Sequence, residues 1–302
     1  MSLALTLLGA CGPPATLPGS ASDVAQGATV VRFVATGDVG KGNETQRQVA
    51  EAMAAVCAER GCDLGLLLGD NLYDRGMTRA QDPRMDRIVG EVYGPVGVPF
   101  YMVHGNHDYA HGRNHQHAAW ARDWAARTDG FEHPSPYYRF EAGPAAFYGL
   151  DTTRAFWYSA APQTAWLKAQ LPAETRRWKV VFGHHTFRSN GDHGNAGAYE
   201  GWSGVPWMSG AGLASLFEQG LCGEADLYLS GHDHSLQWLE HCGVQLVVSG
   251  AGAAPRTLGD RGNEPLFATD KAGFFWIELG DQMKVVGFDH TGEVLVEAQR
   301  DF

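Results

Sequence analysis

Residues 29–36 (TVVRFVAT) form a β-branched, apolar run that stops at Gly37-Asp38, which predicts a buried strand. Residues 43–60 set Val49, Ala52, Met53 and Val56 at helical spacing, which predicts a helix with one buried face. The same two signals recur down the chain. Strands are predicted over 64–68, 98–103, 178–182 and 227–229, with a strand pair over 137–151 around the turn Gly143-Pro144. Helices are predicted over 118–127, 163–171 and 213–219. The runs 245–249, 274–279 and 283–288 close the chain with little helix between them, which predicts a second, more antiparallel sheet. There is no internal repeat and no second linker after Gly27. Residues 28–302 therefore read as one α/β domain.

The first residues follow a different pattern. An apolar run from Leu3 ends in Leu8-Gly9-Ala10-Cys11 and leads into a Gly/Pro/Ala/Ser-rich stretch up to Gly27. It resembles a bacterial lipoprotein signal in which Cys11 is lipidated, followed by a flexible tether, although the first Lys or Arg is only Arg32. Residues 1–27 are read this way against the alternative of an inconsequential tail. The expected location is then outside the cytoplasm, periplasmic or anchored to a membrane through Cys11. The remaining cysteines, Cys57, Cys62, Cys222 and Cys242, are even in number, which in an exported protein points to disulfides. Cys57 with Cys62 and Cys222 with Cys242 are the sequence-local pairs. Connectivity stays open, as does a set of free thiols in a cytosolic protein. No later run is long and apolar enough to span a bilayer.

Composition narrows the partners. With 302 residues and 44% hydrophobic content, the chain can bury one sizeable core or two modest ones. A net charge of -11 repels a nucleic-acid backbone, so DNA and RNA are not expected as partners. It also opposes anionic phosphate substrates. Affinity for them requires a local positive centre, which a metal cluster supplies.

The chemistry sits where the predicted strands end. Gly37-Asp38-Val39-Gly40, Gly69-Asp70-Asn71-Leu72-Tyr73, Gly105-Asn106-His107-Asp108, Val181-Phe182-Gly183-His184 and Gly231-His232-Asp233-His234 each follow an apolar run. Alone, any of them reads equally well as a turn. In an α/β sheet, however, ligands collect beyond the carboxyl ends of the strands, and a Gly lets the chain turn so that the next side chain points there. Five such segments in order predict a binuclear metal site.

These blocks resemble the metallophosphoesterase pattern. Tyr73, three residues after Asp70, is similar to the purple acid phosphatase branch, and the small, tartrate-resistant-like members most of all. Leu68-Gly69-Asp70-Asn71-Leu72-Tyr73, the stretch from Tyr228 through Gly231-His232-Asp233-His234 to Gln237, and Ser249-Gly250-Ala251-Gly252 carry the likeness, which runs from about Val30 to about Val286. The resemblance implies a four-layer α-β-β-α sandwich of two mixed β-sheets flanked by helices. It also implies one metal held by Asp38, Asp70, Tyr73 and His234, and a second by Asp70, Asn106, His184 and His232, with Asp70 shared. Phenolate and carboxylates suit Fe(III). Two imidazoles and an amide carbonyl suit Fe(II), Zn(II) or Mn(II). A phenolate on Fe(III) also absorbs visible light.

The implied reaction is hydrolysis of phosphate monoesters, with a metal-bound hydroxide attacking phosphorus and a His protonating the leaving alkoxide. His107, beside Asn106, and His193, in Asp192-His193-Gly194, are the acid candidates. A phosphodiesterase or nucleotidase on the same centre is the alternative activity. A binding lipoprotein without activity is disfavoured by the intact donor set. Asp108 is either an orienting acceptor or a turn residue. His185 and the run His111, His115, His117 are left unassigned, and His104 is read as a core or supporting residue. Trp157, Tyr158, Trp202 and Trp207 are expected in loops near the mouth, either stacking on an aryl or nucleotide leaving group or packing locally. Arg188 and Arg256 are read as solvated, or else as phosphate contacts. The connection from Asp151 to the helix at Gln163 is shorter than the regulatory loop of the animal enzymes, so control by cleavage there is not implied. The protein is expected to act as a monomer on small phosphate esters.

Overall fold

The computed structural model describes residues 27–300 apart from 113 and 204, and leaves the side chains of 206 and 207 undescribed. Cys11 and nearly all of the expected signal and tether therefore lie outside the described residues.

Fourteen strands pair into two seven-stranded mixed sheets among the described residues. The first sheet holds β1 (Val31–Thr36), β2 (Leu64–Leu67), β3 (Phe100–Met102) and β4 (Phe131–Glu132) in parallel. Beyond β1 it continues antiparallel through β12 (Gly273–Leu279), β13 (Met283–Asp289) and β14 (Val294–Arg300). The second sheet is built on β6 (Ala145–Gly149), β7 (Trp178–Phe182), β8 (Leu227–Ser230) and β10 (Val244–Ser249), again parallel. The strands β5 (Tyr138–Ala142), β9 (Leu236–His241) and β11 (Phe267–Thr269) flank it antiparallel.

The three closing runs therefore do not form one antiparallel sheet, as their spacing predicted. The run at 244–249 joins β8 in the second sheet, while 273–279 and 283–289 extend the first. Antiparallel pairing without helices was read correctly, but periodicity alone does not say which sheet edge a hairpin joins.

Between the sheets lies a core in which Tyr101 stacks on Phe140 at 3.7 Å and Phe140 on Phe147 at 4.8 Å. Outside the first sheet, α1 (Glu44–Arg60) buries Val49, Met53 and Val56 against Val34 and Leu67. Asn43 caps this helix by accepting from the amide of Gln46 at 3.0 Å, and Gly61 ends it at φ 80°. α2 (His115–Ala125) adds Trp124 to the same layer. Outside the second sheet, α3 (Thr152–Trp157), α4 (Ala161–Gln170) and α5 (Ala211–Gly220) pack Ala155, Leu167, Leu216 and Phe217 onto Tyr148 and Val181. The result is the expected α-β-β-α sandwich.

Both local cysteine pairs are disulfides. Cys57–Cys62 closes the end of α1, and Cys222–Cys242 ties the end of α5 to the β9–β10 turn. No described helix is long and apolar enough to cross a membrane.

Candidate metal centre

The parallel strands of the two stacked sheets have neighbouring carboxyl ends, so loops distant in sequence meet there. Asp38 follows β1, Asp70 follows β2 and Asn106 follows β3. His184 follows β7, and His232 and His234 follow β8. Asp38, Asp70 and His232 hold left-handed backbone at φ 59°, 53° and 69°. Asp and His tolerate that region better than most residues, and the strain turns each side chain inward at once after its strand. Glycines give the room. A Cβ on Gly105 would sit 2.0 Å from Asp70 Oδ1, and one on Gly231 would sit 2.5 Å from Asp38 Oδ2.

The donors gather in two sets. In the first, Tyr73 Oη lies 3.1 Å from Asp38 Oδ1 and 3.2 Å from His234 Nε2, and His234 Nε2 lies 3.3 Å from Asp38 Oδ1. In the second, His184 Nε2 lies 3.0 Å from Asn106 Oδ1, 3.2 Å from His232 Nδ1 and 3.6 Å from Asp70 Oδ1. Single donor atoms of Asp38, Asp70 and His184, all buried, fall within 4.8 Å of one another, so the two sets adjoin.

Second partners fix which nitrogens face inward. His184 Nδ1 donates to the Leu68 carbonyl at 2.9 Å, and His234 Nδ1 donates to the Ala254 carbonyl at 2.7 Å. In the neutral rings both Nε2 atoms then carry lone pairs, and each faces further acceptors. Carbonyl and carboxylate oxygens crowding bare imidazole nitrogens at about 3 Å repel one another unless a cation sits among them. About 3 Å is also the spacing of neighbouring ligands on a metal bound at about 2.0–2.2 Å. The residues therefore fit metal ions by their own donor chemistry.

Burial and the two carboxylates set the electrostatics of the donors. Burial raises the Tyr73 phenol well above 10, and the Asp38 and Asp70 carboxylates push it the same way. Burial lowers His232 well below 6.5, helped by the neighbouring histidines, so its ring is a neutral donor. At His234 burial works downward, but the Asp38 carboxylate outweighs it and raises the ring.

The two acid candidates stand on the same cleft, about 280 Å³ in volume, which also reaches Asp70, Asn106, His232 and His234. His107 Nδ1 donates to the Asp74 carbonyl at 2.6 Å, which leaves Nε2 facing Asp70 Oδ2 at 3.7 Å. His193 stacks on His232 at 4.0 Å, and its Nδ1 meets Glu200 Oε1 at 3.0 Å.

Other residues resolve less evenly. Asp108 is an orienting acceptor: its carboxylate takes the amides of Asn71 at 3.2 Å and Gly105 at 2.9 Å, tying the Asp70 and Asn106 loops together. Burial and nearby Asp70 raise its pKa. His185 is buried and lines the cleft, with Nδ1 on Thr152 Oγ1 at 2.9 Å. His104 is a core residue packed on His133 at 4.0 Å. The run at 111–117 diverges. His111 lines the cleft, His115 packs on Tyr158 at 4.4 Å, and His117 bonds the Arg75 carbonyl at 2.6 Å.

Trp157 is not in a loop. It ends α3, and Tyr158 caps that helix. Trp202 is exposed but does not line the cleft, and the side chain of Trp207 lies outside the described residues. Arg256 lines the cleft 3.6 Å from Asp192, whereas Arg188 turns away to His241 Nε2 at 3.2 Å. Two contributors were missed by the sequence reading. Asp233 is fully buried and holds the loop that carries His193 through the amides of His193 at 2.8 Å and Gly194 at 3.1 Å. Its place between His232 and His234 was the available signal. Glu200 carried none.

Residues 31–236 match the family described as Calcineurin-like phosphoesterase. Purple acid phosphatase 3 of Arabidopsis thaliana is 28% identical over 291 residues, covering 88% of this chain and 76% of its own. Tartrate-resistant acid phosphatase type 5 of Homo sapiens is 30% identical over 262 residues, covering 76% of this chain and 75% of its own. Among solved structures, GAP50, the anchor in the inner membrane complex of Plasmodium, shares the fold with a TM-score of 0.73 at 21% identity, covering 91% of this chain and 89% of that one.

Proposed function

From a chain that belongs to the calcineurin-like phosphoesterases, on their purple acid phosphatase branch, and is a metal-dependent phosphoric ester hydrolase, we propose that phosphate monoesters are cleaved at a binuclear centre held by the two donor sets. Asp38, Asp70, Tyr73 and His234 hold the first ion, and Asp70, Asn106, His184 and His232 the second. The Asn106 and Asp70 oxygens facing His184 Nε2, and the Asp38 carboxylate facing His234 Nε2, carry the reading. The phenol and carboxylates suit Fe(III), and the amide oxygen with two imidazoles suits Fe(II), Zn(II) or Mn(II).

When bound, such a pair of cations polarises the phosphoryl oxygens and acidifies a water molecule. The chain's own groups do the rest. The Asp74 carbonyl keeps His107 Nε2 turned into the cleft, where the ring in its imidazolium form can give a proton to the leaving oxygen. His193, set by Asp233 and stacked on His232, is the second proton carrier at the opposite lip. Asp108 keeps the Asp70 and Asn106 loops in register. Export belongs to this reading. Two disulfides support an oxidising compartment, with Cys11 as the proposed lipid anchor.

The test is metal analysis and a visible spectrum of the purified protein, together with turnover of 4-nitrophenyl phosphate, bis(4-nitrophenyl) phosphate and nucleotides. Two metals per chain and faster monoester than diester cleavage are expected. Asp70→Asn is expected to abolish turnover of all of them. A protein that kept most of its activity with that substitution would lack the proposed centre.

A further inference from the structure

The metal centre opens onto a line of aromatic rings that the hydrolytic chemistry does not use. From His232 the line steps to His185 at 4.4 Å, to Phe156 at 5.4 Å with the planes 19° apart, and to Trp157 at 4.9 Å. Tyr199 backs Phe156 at 6.0 Å. All of these rings line the same cleft. The inner rings are packed in the wall, but Trp157 at the outer end is 48% exposed.

Exposure here is not looseness. The Trp157 indole lies flat against the backbone of Gly112, where a Cβ would fall 2.3 Å from Cδ1. Next to it, the Tyr158 hydroxyl donates to the Gly112 carbonyl at 3.0 Å, so the end of α3 is tied to the loop after Asn106. A large apolar ring kept in water yet fixed in position, at the lip of a cleft that ends in the metal ligands, is pre-organised to receive another flat ring.

We infer that Trp157 and Phe156 form a leaving-group subsite that favours phosphate esters of planar aromatic alcohols over aliphatic ones. The inference rests on the phosphomonoesterase reading and adds the group on the far side of the scissile bond. With phosphate at the proposed metal site, the ester oxygen would point along the wall and the ring of the leaving alcohol would lie on the exposed Trp157, which Phe156 supports from the wall. Two classes of ester present such a ring. A phenolic ester carries it directly on the bridging oxygen. A nucleoside 5′-phosphate carries it beyond a sugar.

The experiment compares kcat/KM for phenyl phosphate, adenosine 5′-monophosphate and glycerol 3-phosphate in the unsubstituted protein, in Trp157→Ala and in Trp157→Phe. Trp157→Ala is expected to lower the ratio of an aromatic ester to glycerol 3-phosphate on the order of tenfold, the size of one stacking contact. Trp157→Phe, which keeps a flat face, is expected to restore most of it. A fall confined to the adenosine ester assigns Trp157 to the base, and a fall in both ratios places phenolic rings on it too. Either supports the subsite. If the ratios stay the same in Trp157→Ala, the subsite is overturned while the hydrolase reading stands. If the unsubstituted, metal-loaded protein cleaves none of the three esters, the hydrolase reading itself fails.

Discussion

His184 Nε2 faces Asn106 Oδ1 at 3.0 Å, and in the neutral ring no proton joins them, because the Leu68 carbonyl takes the N–H at Nδ1. His232 Nδ1 approaches the same nitrogen at 3.2 Å. Three potential ligand atoms are gathered at the carboxyl end of the parallel strands, at the spacing of neighbouring ligands on one cation.

Metal loading should therefore stabilise the fold strongly. A ligand at about a hundred times its Kd adds about 2.7 kcal/mol. For a domain of this size that corresponds to a rise in Tm of roughly 5 °C. Thermal denaturation after chelation and after adding back Fe, Zn or Mn measures it. Asn106→Ala removes one crowded oxygen, so its metal-free form should lose less stability than a buried deletion usually costs, and its rise on metal addition should be smaller. An equal rise in both proteins would take Asn106 out of the donor set.

Asp38, Asp70, Asn106, His184 and His232 were legible as candidates because each stands directly after a Gly at a strand end, whereas Tyr73 and His234 sit two or three residues further along the same segments. Gly105 and Gly231 show why the Gly is needed: their missing Cβ atoms make room for Asp70 and Asp38. The β9 strand and α3 were not anticipated. The β9 strand follows at once on the turn that carries His232 and His234, and α3 is six residues long, too short to show a period. Phe156 and Glu200 act on the cleft through the placement of α3 and of the loop after β7. Spacing along the chain does not encode that placement.

His107 should matter most when the leaving group is poor. Its Nε2 is free to face the ester oxygen because Asp74 holds Nδ1. Loss of a positioned acid costs about 10²–10⁴-fold. His107→Ala is expected to lower kcat for glycerol 3-phosphate within that range, and kcat for 4-nitrophenyl phosphate much less, since 4-nitrophenolate leaves without a proton. Equal losses on the two esters would show that His107 positions the substrate and does not protonate it.

Far from the cleft, Glu174 should make stability depend on acid. Burial opposes its charge, but Arg139, at 3.1 Å through Nε, outweighs burial, and the Tyr148 hydroxyl donates to it at 2.9 Å. Together they hold the carboxyl at about 2, below its ordinary 4.5. A depressed pKa favours the folded state when the group is ionised. Its contribution is therefore complete above about pH 4.5 and is lost as pH falls toward 2. Solvent screening limits it to about 1 kcal/mol. Glu174→Gln should lower Tm by about 2 °C at pH 6, with the gap to the unsubstituted protein closing between about pH 5 and pH 2. A gap that widened toward acid would reverse the sign assigned to this pair.

Tyr73 separates an iron-containing centre from an all-divalent one. Its hydroxyl meets Asp38 Oδ1 at 3.1 Å and His234 Nε2 at 3.2 Å, and its ring packs edge-on to His107 at 4.5 Å. Tyr73→Phe keeps the ring and its packing and deletes only the oxygen, so the far-ultraviolet circular dichroism should not change. If a trivalent iron takes that oxygen, the purified protein is coloured and the substitution bleaches it. Metal analysis should then show iron retained through Asp38, Asp70 and His234. If the protein is colourless with zinc or manganese in both positions, the hydrolase still has its two cations, but the phenol is left as a hydrogen-bond donor to Asp38. A coloured protein whose spectrum survives Tyr73→Phe would place the colour on some other donor and remove Tyr73 from the metal.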